Sequence, residues 1–316
     1  MSTLLTLRRP NLLFTRAETK RERDASKLSS TTPPRLQNFE DLPEWYQDNP
    51  SVRTAYRPVS FSLLACLESW VYLHNESLNI YTHLLPALLS LPVQLLVQVW
   101  ISQHFPEASM VDRSVFAANI FAVTTCMMLS TLYHTLMNHS MKVSFLWLGI
   151  DYVGILSLIL GSFFSGIFVG FYCEPALRRT YWGMIVSLSL GTSVLVLHPR
   201  LQGLKYRSIR TIAFVMTGLS GFAPVGHGLI KYGWEEMWVR SGMPYWFLEG
   251  AFYGVGALFF AIRVPESIWP GRFDVWGSSH QIFHVLVVMG SLVHLLGVWE
   301  AYKWNYTHMA HCKYVP

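Results

Sequence analysis

Seven stretches of this chain are each long enough and apolar enough to cross a bilayer, and that count leaves few folds open. A spanning helix needs about 20 largely apolar residues, and lipid tolerates a backbone only where helices or closed barrels satisfy its polar groups. The stretches are approximately Asn79–Ile101, Ser114–Leu136, Phe145–Phe171, Thr180–Leu197, Ile209–Ile230, Tyr245–Ile262 and Val275–Trp299. Short connections with turn or charge signals separate them, such as Phe105-Pro106-Glu107, Cys173-Glu174-Pro175 and Pro270-Gly271. Charged residues make up only 14% of the 316, against roughly a quarter in soluble domains. The fold class is therefore expected to be all-α, a seven-transmembrane helix bundle, multi-pass and integral to the membrane.

Four regions follow. Residues 1–37 read as a disordered basic N-terminal tail; Met1 to Ala17 carries arginines without acids but no amphipathic pattern that would make it a transit peptide. Residues 38–78 form a cytosolic segment, in which Leu64, Leu67, Trp70 and Val71 recur at helical spacing between Phe61 and His74. Too short to span, this piece is expected to be an interfacial helix before the first span. Residues 79–300 are the seven-helix domain, and 301–316 an extracytosolic C-terminal tail. Pro86, Pro92 and Pro224 are expected to kink their helices, and Ser162/Gly166/Gly170 and Gly250/Gly254 to bring helices close.

Loop charges do not decide orientation, but the basic tail (Arg8, Arg9, Arg16, Lys20, Arg21, Arg23, Lys27, Arg35) favours a cytosolic N-terminus. On that topology the sequon Asn305-Tyr306-Thr307 is external and Asn75-Glu76-Ser77 internal. The net charge of +5 has no clustered stripe, so nucleic acid is not an expected partner. Cys66, Cys126, Cys173 and Cys312 share no CxxC spacing. Cys173 and Cys312 fall on the same predicted side, which permits a pairing that spacing alone does not establish.

The chemistry-bearing residues are sparse and agree in depth. His280 and His284, one turn apart on a single helix face, open the seventh span. His134 lies in the last turn of the second span and Asp151 early in the third. Odd spans begin, and even spans end, on the N-terminal side, so all four sit in one leaflet. Ionisable groups at such depth mark functional sites by default. Three histidines with a fourth position open characterise catalytic zinc sites, and nitrogen donors suit zinc better than calcium or magnesium. Asp151 is then a candidate general base, or a group that orients water, and Ser130, one turn before His134, faces the same pocket.

Plainer readings stand beside each of these. Taken alone, His134 is a helix-packing histidine, Asp151 half of a buried ion pair, and His280/His284 a helix-end feature. His83 reads as packing or a hydrogen-bond partner of the site, His294 as a satisfied bundle histidine too deep for the same ion, and His227 as lying in the opposite leaflet. His308 and His311 read as members of a solvated tail.

Several stretches carry a resemblance: Leu42-Pro-Glu-Trp45, Glu76-Ser-Leu-Asn79-Ile-Tyr-Thr-His83, Ser130-Thr-Leu-Tyr-His134, Asp151-Tyr-Val-Gly154, and Phe273-Asp274-Val-Trp276 through His280-Gln-Ile-Phe-His284. In these the chain resembles the adiponectin receptor branch of the progestin and adipoQ receptor family, with its fungal zinc-homeostasis and haemolysin III-related members, from about Asn38 to Trp299. The resemblance implies a cytosolic N-terminus and one Zn2+ ion held by His134, His280 and His284, with Asp151 and Ser130 beside it. It also implies an intramembrane ceramidase, cleaving ceramide to a sphingoid base and a free fatty acid, with some members serving as hormone receptors in lipid metabolism and zinc homeostasis. The alternative is a non-catalytic signalling receptor with structural zinc; a zinc transporter would need ligands along a whole path. The extracellular ligand, the oligomeric state and the choice between plasma membrane and endoplasmic reticulum stay open.

Overall fold

Segments that must satisfy their own backbone in lipid become helices, and the apolar stretches do so. The structure, a computed structural model, describes residues 34–201, 204–308 and Cys312. The predicted N-terminal tail up to residue 33, and His311, lie outside the described residues. The helices are α1 (Leu63–Glu68), α2 (Ser77–His104), α3 (Met110–Leu136), α4 (Met141–Gly170), α5 (Pro175–Leu197), α6 (Arg207–Leu219), α7 (Phe222–Arg240), α8 (Met243–Ile262) and α9 (Ser279–His308). Among the described residues the only β pairing is one bridge between Gln37 and Tyr56. Among the described residues seven helical stretches are long and apolar enough to cross a membrane, with α6 and α7 together forming the fifth.

That fifth span departs from the sequence reading. Pro224 does not kink a continuous helix; it stands in the first turn of α7, where a proline costs no intrahelical hydrogen bond, and the break falls ahead of it at Ser220-Gly221. A second break follows at Gly233, whose φ of +76° leaves the helical region. Pro86 and Pro92, by contrast, remain inside α2.

Close helix approach also occurs elsewhere than predicted. A Cβ at Gly161 would lie 2.4 Å from that of Ala122, so α3 and α4 meet there almost backbone to backbone. Gly250 and Gly254 face open space, and Gly166 and Gly170 make ordinary contacts.

The two ends of the bundle are held differently. At one end Cys173 and Cys312 are disulfide-bonded, tying the α4–α5 connection to the chain beyond α9. Arg240 is buried there, donating to the Glu174 carboxylate at 2.7 Å and to the Gly170 carbonyl at 3.1 Å. The helix α9 continues to His308, so residues 301–308 of the assigned tail are helical. Asn305 is wholly buried and gives its amide hydrogens to the carbonyls of Val169, Arg240 and Ala301. Asn75 is buried too. Neither sequon is available to a glycosylating enzyme in the folded chain.

At the opposite end the N-terminal segment lies across the bundle as a strap. The backbone N–H groups of Arg53 and Thr54 donate to the Asp274 carboxylate at 3.0 and 2.9 Å, and Gly271 N–H donates to the Ser51 carbonyl at 2.9 Å. Ser60 and Phe61 bond the carbonyls of Asn138 and His139, in the α3–α4 connection. Beneath the strap Leu42, Tyr46, Val52, Tyr56 and Met137 pack together. The helix α1 is shorter than expected, extended by one 3-10 turn over Ser69–Val71. Its residues Leu63, Leu64 and Leu67, with Val71, point away from the protein while Cys66 is buried. An outward apolar face on a short helix at a bundle end is the pattern of an interfacial helix.

Candidate metal centre

Two helix ends meet under the strap, and side chains from outside each helix help to fix both. The last carbonyls of α3 have no partners in their own helix. Arg57, wholly buried, donates to those of His134 (2.5 Å) and Thr135 (3.0 Å), placing a cation where the helix dipole favours one. The first N–H groups of α9 have the converse need. The Glu266 carboxylate accepts from Ser279 N–H at 2.8 Å and from its hydroxyl, while Gln281 Oε1 accepts from Gly277 N–H at 2.6 Å. The start of α9 is thereby set, and with it the face that carries His280 and His284.

The ligand nitrogens of His134, His280 and His284 all lie within 4.8 Å of one another, near enough to share one metal ion. Nε2 of His134 and Nε2 of His280 face each other at 3.2 Å. His134 and His284 are buried and His280 is half-buried. Asp151, on α4, lies close enough to both Ser130 and His134 to interact with them electrostatically. All five site residues predicted from the sequence are thus neighbours, drawn from α3, α4 and α9.

Two further groups were missed as site members. Glu76, immediately before α2, places Oε2 2.8 Å from His134 Nδ1 and accepts from the Asn79 amide at 2.6 Å. Burial alone would raise its carboxyl, but hydrogen bonds from His134 and Asn79 act against that and lower it. Its placement three residues before Asn79, at the mouth of an apolar span, was a signal that could have been used. Arg57 gave none: a lone arginine 77 residues from its carbonyl partner has no local pattern.

Three other histidines stand outside the cluster. His83 stacks flat on His284, ring centroids 3.7 Å apart. His227 is hydrogen-bonded to the Tyr181 hydroxyl at 2.8 Å. His294 lies ten residues beyond His284, about 15 Å along the helix. It has its own partners, with Nδ1 2.8 Å from Glu249 Oε2 and Nε2 2.8 Å from Ser165 Oγ. Glu249 was overlooked, although an acid inside the sixth apolar stretch is the same signal that picked out Asp151.

Comparison with known proteins adds an independent line. The sequence model described as Haemolysin-III related matches residues 71–295. The chain is 35% identical over 269 residues to the ADIPOR-like receptor IZH2 of Saccharomyces cerevisiae, covering 85% of this chain and 84% of that one. It is 36% identical over 263 residues to the adiponectin receptor protein of Drosophila melanogaster, covering 83% of this chain but only 59% of that longer one. Heptahelical transmembrane protein 1 of Arabidopsis thaliana is 34% identical over 263 residues, covering 82% and 79%.

Proposed function

The chain belongs to the haemolysin-III related family, among its adiponectin receptor-like seven-helix membrane proteins, and on that footing we propose that it is a zinc-dependent hydrolase of ceramide or a closely related lipid amide. The observation that carries this reading is the convergence of three imidazoles within reach of one ion, with a carboxylate and a hydroxyl beside them, from three helices. The donor set fits zinc: three nitrogen donors that can share one ion, with an ionisable oxygen alongside rather than an all-oxygen shell.

His134, His280 and His284 would hold the ion. When bound, zinc supplies Lewis-acid polarisation of a carbonyl and makes nearby water more acidic. The protein's own groups do the rest. Asp151, oriented by Ser130, takes the proton from the attacking water and returns it to the nitrogen of the sphingoid base as the C–N bond breaks and the new C–O bond completes the fatty acid. The apolar helices suit a two-chained lipid entering from the side and exclude bulk water, which strengthens each electrostatic interaction.

The direct test measures bound zinc and ceramide turnover by the purified protein, wild type against His284→Ala. The variant should lose stoichiometric zinc and at least about 100-fold in turnover. Equal product from both proteins would end the catalytic reading.

A receptor with structural zinc is the second reading, favoured by the receptor names of the yeast and fly relatives. It predicts zinc-dependent thermal stability without turnover.

The same footing supports a cytosolic N-terminus. Disulfides persist in oxidising compartments, so the Cys173–Cys312 bridge argues that its end of the bundle faces away from the cytosol and the strap faces in. Cys66 and Cys126 are buried. With the plasma membrane alone permeabilised and internal membranes left sealed, an impermeant reductant followed by an impermeant maleimide should not reach Cys173 and Cys312 of protein in internal membranes, and at the cell surface both should already label in intact cells. Labelling that appears only on opening the plasma membrane, with internal membranes sealed, would reverse the topology.

A further inference from the structure

Helix α2 gives no nitrogen to the histidine cluster, yet its first turns and the residue before them touch two of the three imidazoles. Glu76 Oε2 meets His134 Nδ1 at 2.8 Å and is itself held by Asn79 Nδ2 at 2.6 Å. The Asn79 carbonyl lies 3.1 Å from His284 Nδ1, with the Thr82 hydroxyl at 3.2 Å from the same atom. The His83 ring, flat against His284, fixes the plane in which that imidazole lies.

A carbonyl oxygen can only accept, and Glu76 Oε2, which already accepts from the Asn79 amide, faces His134 Nδ1 in the same way. Nδ1 of His134 and of His284 must therefore carry the hydrogen, and a neutral imidazole so protonated keeps its lone pair on Nε2. That is the atom His134 turns toward His280, 3.2 Å away. We propose that Glu76 is a positioning residue of the metal site, fixing the tautomer and ring orientation of His134 so that its Nε2 is presented to the ion. This rests on the reading of the cluster as a zinc site, and it assigns to α2 an orienting role for ligands that belong to α3 and α9. Carboxylate partners of ligating histidines also raise ligand basicity, and their removal weakens metal binding by 10–100-fold in general.

The test uses the full-length purified protein, stripped with a chelator and reloaded. Zinc affinity is read by competition with a chelating indicator, and site geometry by the visible absorption of the Co2+-loaded form. Glu76→Gln, nearly the same shape, should bind zinc at least about 10-fold more weakly and shift the Co2+ spectrum, with Glu76→Ala weaker still. Glu236→Gln, on the carboxylate paired with Arg240 at the other end of the bundle, should stay within threefold of wild type. Glu76→Gln and Glu76→Ala within threefold of wild type, with an unchanged spectrum, would overturn the assignment while leaving the zinc site intact. Zinc binding sensitive to Glu76 in a protein without turnover would support the assignment and overturn only the hydrolase reading. A wild-type protein that binds no zinc would overturn both.

Discussion

Asp151→Asn should lower ceramide turnover on the order of 10²- to 10⁴-fold while leaving bound zinc in place. The substitution keeps the shape beside Ser130 but removes the only group proposed to accept a proton. His134, His280 and His284 are untouched, so zinc content should match wild type. The measurement pairs metal analysis with product formation on the same preparation. Turnover within threefold of wild type would remove Asp151 from the chemistry.

The second large effect lies away from the site. His294→Ala should destabilise the bundle by about 3–5 kcal/mol, because it leaves a buried acid without its nitrogen partner. Glu249 and His294 are both buried, bonded at 2.8 Å, and Ser165 completes a chain that Asn119 joins through its amide at 3.3 Å. Replacing both members of the pair with leucine should recover much of the loss, since no uncompensated polar group then remains. Thermal unfolding in detergent reads both variants. A double variant as unstable as His294→Ala would mean that packing, and not the unpaired acid, sets the cost.

How much of this could be read from residues alone follows from the range over which each cause acts. The seven spans were legible because bilayer thickness imposes a length on each one separately. The break at Ser220-Gly221 was not, because Pro224 announces a disruption without saying on which side of it the helix stops. The gathering of His134, Asp151, His280 and His284 was legible through parity, which converts a position along the chain into a depth in the membrane. Lateral neighbours have no such rule. Arg57 reaches His134 across 77 positions, and Glu249 reaches His294 across 45. The same limit applied to Cys173 and Cys312: their shared side followed from the span count, their bond only from coordinates. Small-residue spacing misled because it marks what a helix face permits, and Gly250 and Gly254 have nothing against them.

The contrast between the two bundle ends has a practical consequence. One is fastened by a covalent bond that a thiol reductant severs, the other by hydrogen bonds and one apolar cluster that a single change at Asp274 would loosen. A 30-residue helix spans roughly 45 Å, so the fastenings sit far beyond the range at which perturbations couple. Their losses should sum, and each extremity of the molecule can be relaxed on its own.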